Sequence, residues 1–238
     1  MQALSDKAPA RPIRSYVLRA GRITPAQERA LAELWPRYGV DFRPAELNLP
    51  ELFGRRAPVS LEIGFGNGEH LLRRASAEPE RNFLGVEVHR PGIGHLLLAA
   101  ERNDLKNLRI VAHDAVEVLE QQIAPGTLDE VQLLFPDPWP KKRHHKRRLV
   151  QPAFINLLAS RLGPGGKLYI ATDWQPYAER MREDLEACAA LRNSGEPLAG
   201  ARADSIQTEP THEPTRFQRR GERLGHQIHR LLFVRVGD

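Results

Sequence analysis

The sequence predicts an α/β fold, a mainly parallel sheet with helices on both faces. Three observations predict it. From Val59 onward, short apolar runs alternate with stretches of helical periodicity, and the runs are nearly continuous in apolar residues, as buried parallel strands are. The first run opens directly into a glycine-rich turn, Gly64 to Gly68, followed by a helical pattern. Acidic residues stand just past the ends of several runs, where open α/β sheets hold their ligands.

Taken in order, the first dozen residues mix Pro, Ala and Arg without periodicity and are expected to be mobile. Thr24-Pro25-Ala26-Gln27 then supplies an N-cap hydroxyl, a proline at the first helical position and a capping-box glutamine. Leu31, Leu34, Trp35 and Tyr38 follow at helical spacing, so one helix should lay an apolar face on the main domain. Prolines at 36, 44, 50 and 58 punctuate the approach to that domain. The expected organisation is an N-terminal extension over 1–56, an arm plus one packed helix, and a main domain over 57–238. Strands are expected over 59–63, 82–88, 108–111, 130–135 and 167–172, with helical patterns such as 68–77 and 92–103 between them. The stretch 193–214, rich in Gly, Pro, Thr and Glu, reads as a long surface excursion, and 228–236 as a last strand.

Composition narrows the class. The 238 residues are 41% hydrophobic and 27% charged, enough apolar matter for a real core. The single cysteine, Cys188, cannot make an internal disulfide and lacks the partners of a structural zinc site; no metal is expected. The N-terminus has no apolar signal region, and no stretch approaches the length of a membrane span, so the expected location is the cytoplasm, with no membrane partner. The formal net charge is +5, yet Lys141, Lys142, Arg143, Lys146, Arg147 and Arg148 alone contribute more than that. The basicity is a local patch, with His144 and His145 inside it, and such a patch suits a polyanionic partner.

The glycine turn reads Gly64-Phe65-Gly66-Asn67-Gly68, a GxGxG spacing. Glu69 stands where a dinucleotide fingerprint wants its third glycine, and a pyrophosphate there would meet a like charge, which disfavours NAD and FAD. A nucleoside cofactor without a pyrophosphate fits better. The second strand ends on Glu87, about 20 residues past the turn, where a carboxylate can accept both ribose hydroxyls. The third is followed by Asp114, placed to accept from an adenine amino group. Glu62, Glu87 and Asp114 would then surround a ligand carrying positive charge, and S-adenosylmethionine, with its sulfonium and α-amino group, is such a ligand. A lone GxGxG is a weak signal and acids at strand ends are often caps; it is their joint placement that favours a methyltransferase.

After the fourth strand the chain turns through Pro136-Asp137-Pro138-Trp139-Pro140, and the basic run begins at once. Prolines flank Asp137, and Trp139 offers a flat ring beside the acid, an arrangement that can hold a planar base.

At this point the sequence resembles the bacterial tRNA (guanine-N7)-methyltransferase family, of the TrmB type. The motifs carrying the resemblance are LEIGFGNG, FLGVEVHRPGIG, HDAVEVL, FPDPWPKKRHHKRR, ATDW and TRFQRRGERLGH, from Leu61 to His226. The resemblance implies a class I (Rossmann-like) methyltransferase fold for 57–238, S-adenosylmethionine as donor with S-adenosylhomocysteine as product, tRNA as partner, and 7-methylguanosine at variable-loop nucleotide 46. It implies cofactor contacts from Glu62, Glu87, Asp114 and Asp137, alongside the turn glycines Gly64, Gly66 and Gly68, and a catalytic role for Asp137. Lys141, Asp173, Thr215, Arg216, Phe217 and Gln218 match substrate-contacting positions, and Arg143, His144, His145, Lys146, Arg147 and Arg148 match the RNA-binding stretch. Gln218 departs from the pattern, which has an acid there. A monomer or homodimer is expected.

The chemistry stands beside the resemblance. Guanine N7 carries a lone pair and no proton, so methylation needs alignment and electrostatics rather than a general base. N7 lies on the major-groove edge, closed off in A-form RNA, so the target should be an unstacked base. Six cations on six phosphates predict a log–log salt slope of roughly −4 to −5. Two alternatives remain open from the residues alone: a methyltransferase for another RNA atom or a small molecule, and a non-catalytic RNA-binding protein on the same fold.

Overall fold

The computed structural model describes residues 21–195, 225 and 227–237. Helix α1, Pro25–Glu33, starts as expected, with the amide of Gln27 donating to Thr24 Oγ1 and the Thr24 amide donating to Gln27 Oε1. The expected single helix is instead two. Pro36 has no amide hydrogen to continue the ladder, so a one-turn α2, Trp35–Tyr38, restarts on Leu34.

The chain then enters the sheet earlier than expected. Strand β1, Gly39–Val40, pairs in parallel with β4, Leu108–Val111, and α3, Leu49–Phe53, buries Leu49 and Phe53. The described part of the extension is therefore integral to the core. The remaining elements are β2 (Val59–Ile63), α4 (Glu69–Ala77), β3 (Asn82–Val86), α5 (Arg90–Arg102), α6 (Ala115–Gln121), β5 (Leu128–Leu134), α7 (Pro152–Arg161), β6 (Leu162–Thr172), α8 (Gln175–Glu186), β7 (Leu191–Asn193) and β8 (His229–Arg235). A 3₁₀ helix, Lys142–Arg147, lies between β5 and α7.

The sheet order is β1-β4-β3-β2-β5-β6-β8-β7. Pairing is parallel through β6, while β8 runs antiparallel to both β6 and β7. Strand ends differ from expectation by a few residues. The run 82–88 ends at Val86, which places Glu87 beyond the strand, and 167–172 is the far half of a strand that leaves α7 directly at Leu162. Of the 193–214 excursion only 193–195 is described.

Alternation along the strands builds a core on each face. Leu61, Ile63, Leu84, Val86, Val131 and Leu133 pack with α6, α7 and α8, whereas Phe83, Leu108 and Ile110 pack with α1, α4 and α5. The central strands are less uniformly apolar than expected: Ser60 and Glu62 of β2, and Gln132 of β5, are buried and polar. Arg74 of α4 meets that polar side, donating from Nη1 and Nη2 to Glu130 at 2.7 and 3.0 Å and from Nε to Glu78 at 2.8 Å.

Candidate functional site

Strand order assembles the site. From β2 the chain moves to β3 and β4 on one side, and β5 and β6 lie on the other, so the sheet's switch point falls between β2 and β5. Along that carboxyl rim stand, in order, Asp114, Glu87, the glycine turn, Asp137 and Asp173. Residues separated by up to 109 positions in the sequence thus stand along one rim, the side on which such sheets bind ligands.

Gly64, Gly66 and Gly68 have φ of 71°, 59° and 76°, left-handed values that only glycine adopts freely. A Cβ added at Gly64 or Gly66 would meet nothing within 4 Å, so the turn presents bare backbone to an open cradle. Behind it α5 closes tightly, since a Cβ at Gly92 would lie 2.0 Å from the Gly66 carbonyl oxygen. Glu87 ties turn and rim together: its Oε2 accepts from the Gly66 amide at 2.8 Å, and its Oε1 from the amides of Val88 and His89 at 2.7 and 3.0 Å. Three charge-assisted bonds fix the carboxylate in place.

Glu62, buried on β2, has Oε2 2.8 Å from His70 Nδ1 on the first turn of α4. Asp114 caps α6, its Oδ1 accepting from the Val116 amide at 2.8 Å, and is half-buried. The set of three acceptor acids beside an open glycine cradle fits a cationic nucleoside. His70 carries no motif signal; only its position eight residues after Glu62, on the helix entering behind the turn, points to the pairing.

The loop after β5 is held in an uncommon conformation. Phe135 and Trp139, neither a glycine, have φ of 54° and 43° and bracket Asp137, which is exposed. The Phe135 amide donates to the Ala171 carbonyl at 2.8 Å, tying the loop's start to β6. Arg147 Cζ lies 4.9 Å from the Trp139 ring centroid, and the His144 ring meets Trp139 edge-on at 5.7 Å. At the end of β6, Asp173 is half-buried beside Trp174, whose amide donates to Thr172 Oγ1.

The basic run divides in two. Lys141, Lys142, Arg143 and Lys146 are exposed, with His144, His145 and Arg147 half-buried on the same 3₁₀ turn. Desolvation and the charges of Arg143, Arg147 and Lys141 hold His144 below the ordinary histidine range. Arg148, expected among the RNA contacts, is only 8% exposed and turns inward. Its Nε donates to the Pro138 carbonyl at 2.8 Å and its guanidinium lies 4.6 Å over the Tyr177 ring. A position-by-position reading of a charge run has no signal for that inward turn. Thr215, Arg216, Phe217 and Gln218 lie outside the described residues. No helix among the described residues is long and apolar enough to cross a membrane.

Residues 56–231 match the model of a family described as "Putative methyltransferase". The chain is 52% identical over 224 residues to a tRNA (guanine-N(7)-)-methyltransferase of Halorhodospira halophila, covering 94% of this chain and 95% of that one. It is 53% identical to the protein of the same name from Alkalilimnicola ehrlichii, covering 94% and 92%. Among solved structures, the aminoglycoside resistance methyltransferase NpmB1 superposes with a TM-score of 0.52 at 16% identity, over 82% of this chain and 95% of that one, which shows a shared fold.

Proposed function

We propose, from the premise that this chain belongs to the tRNA (guanine-N(7)-)-methyltransferase family, that it methylates N7 of a guanine in tRNA, at nucleotide 46 of the variable loop, in the cytoplasm. S-adenosylmethionine is the donor, and when bound it supplies an electrophilic methyl group on a positively charged sulfur. The observation that carries the reading is the adjacency at the switch point: the glycine cradle and its acids on one side, Asp137 on the other, and the exposed cations of the 3₁₀ turn immediately beyond.

Each residue's part follows from its placement. Glu87, immobilised by three backbone amides, presents its carboxylate to a ribose; Asp114 offers its second oxygen to an adenine amino group; Glu62 sets a buried negative charge near the cofactor's cationic part. Because N7 has no proton to lose, none of these acids need act as a base. Asp137 stabilises the positive charge that develops on the purine, and its exposure at the tip of a strained loop leaves it open to an extruded base. Asp173 accepts from the base's Watson–Crick edge, and Lys141, Lys142, Arg143 and Lys146 hold phosphates.

The test is incubation with labelled S-adenosylmethionine and unmodified tRNA, then mass spectrometry of the digested nucleosides. A 7-methylguanosine peak that disappears with Asp137→Ala, while tRNA affinity stays within about threefold, is the expected result. Transfer to another nucleoside, or full turnover by Asp137→Ala, would refute the assignment.

A further inference from the structure

We infer that Arg148 serves as a positioning residue for the reaction: it fixes the loop that carries Asp137 from behind, instead of holding RNA. Four observations converge on it. Arg148 is the one cation of the run that is buried, at 8% exposure. Its Nε donates to the carbonyl of Pro138, the residue next to Asp137, at 2.8 Å. Its Nη2 lies 3.2 Å from His145 Nε2 within the 3₁₀ turn. Its guanidinium carbon lies over the Tyr177 ring of α8, 4.6 Å from the centroid, and Tyr177 Oη accepts from the amide of Val150, two residues further on.

One side chain therefore joins the reaction loop, the basic turn and α8. The loop needs such a strut. Phe135 and Trp139 sit in left-handed conformations that cost of order 1–3 kcal/mol each and persist only where the surroundings over-determine them. The Phe135 amide bond to Ala171 secures the start of the loop, and the Arg148 bond to Pro138 secures its middle. A proline carbonyl is a suitable anchor, since the flanking Pro136, Pro138 and Pro140 supply few amides by which the loop could bond elsewhere. A guanidinium can donate to a carbonyl, reach a histidine with a second nitrogen and lie over a ring at once; a lysine supplies the same charge as a point.

The inference rests on Asp137 carrying the reaction, and the experiment separates the two. Arg148→Lys and Arg148→Gln are compared with the wild-type chain for single-turnover methylation at saturating donor and tRNA, for tRNA dissociation constant, and for its salt dependence. Arg148→Lys is expected to lose at least about tenfold in the single-turnover rate while tRNA affinity and salt slope stay unchanged. Arg148→Gln, which gives up the charge, the second nitrogen and the contact with the Tyr177 ring, should lose at least as much rate as Arg148→Lys and keep the same slope. An unchanged rate for Arg148→Lys would overturn the inference, as would a slope shallower by about 0.7 to 0.9 in Arg148→Gln, the signature of a lost phosphate contact. Should either variant fail to bind donor or to fold, Tyr177→Leu, which keeps Arg148 and removes its platform, replaces it and is compared with Tyr177→Phe, which removes only the bond from the Val150 amide: a rate loss in Tyr177→Leu beyond that of Tyr177→Phe, with unchanged tRNA affinity, supports the strut, and equal rates in the two refute it. If Asp137→Ala retains turnover, the underlying reading fails instead, whatever Arg148 does.

Discussion

Salt dependence of tRNA binding counts the cations that meet phosphate, and substitution within the basic run assigns its share. The run holds six lysines and arginines, but Arg148 is buried and Arg147 is half-buried against the Trp139 ring, which leaves Lys141, Lys142, Arg143 and Lys146 exposed. His144, held below the ordinary histidine range, adds no charge at neutral pH. At about 0.7 to 0.9 ions released per contact, four contacts give a log–log slope of roughly −3 to −4, shallower than the −4 to −5 that six would give. Between 50 and 200 mM salt that slope weakens binding by roughly 60- to 250-fold.

Single substitutions then read the contacts one at a time. Lys142→Ala, Arg143→Ala or Lys146→Ala should each make the slope shallower by about 0.7 to 0.9 and cut the affinity lost over that salt range by about threefold. The assay is filter binding or fluorescence anisotropy with unmodified tRNA across the salt series. A wild-type slope near −1, or substitutions that leave it unchanged, would refute the assignment of this turn to the RNA backbone.

Stability and cofactor binding give the remaining predictions. Arg74→Met leaves the largely buried Glu130 carboxylate without its ion-pair partner and should cost about 3–5 kcal/mol in denaturant unfolding, most of it recovered by adding Glu130→Leu. Burial pushes the Glu130 carboxyl up, but its hydrogen bonds and charge pairing with Arg74, then Gln132 and Arg81, outweigh this and hold it below the usual glutamate range. A depressed folded value means that its stabilisation is complete above the unfolded pKa of about 4.3 and is lost as pH falls through the folded one; a pH–stability profile rising toward acid would contradict this. Gly92→Ala should weaken donor binding by more than tenfold in calorimetry, because its Cβ would stand 2.0 Å from the Gly66 carbonyl and displace the turn; unchanged affinity would show that the turn yields freely.

Most of the sheet and much of the rim could be read from the sequence because both rest on local pattern. Apolar runs of strand length gave β2, β4 and the far half of β6 within a residue, and the glycines signalled a turn whose positive φ they alone tolerate. Pro36 was visible, but its consequence, a helix broken at Leu34, depends on which carbonyl it deprives. Strand β1 could not be read at all: two residues carry no periodicity, and their pairing with Ile110 and Val111 is a tertiary fact. Arg148 illustrates the general limit. Six cations in eight positions look alike in sequence, and only the packing of α8 against the loop turns one of them inward.

The polar seam beneath α4 follows from the alternation of β2 and β5. Glu62 stands on β2 just before the glycine turn, and period two places Ser60 on the same face of the strand. In the neighbouring β5, Gln132 pairs in register with Glu62 and Glu130 with Ser60, so polar residues stand side by side on one face of the two central strands. An apolar helix could not cover that surface without stranding a carboxylate. Helix α4 meets it with residues one turn apart: His70 reaches Glu62 at the cofactor end, and Arg74, four residues on, reaches Glu130 and lies 3.4 Å from Ser60 Oγ. Glu78 completes the guanidinium's partners a further turn along. The Arg74–Glu130 pair is thus weak evidence for stability in itself and is better understood as the means by which α4 covers the polar face that β2 and β5 share.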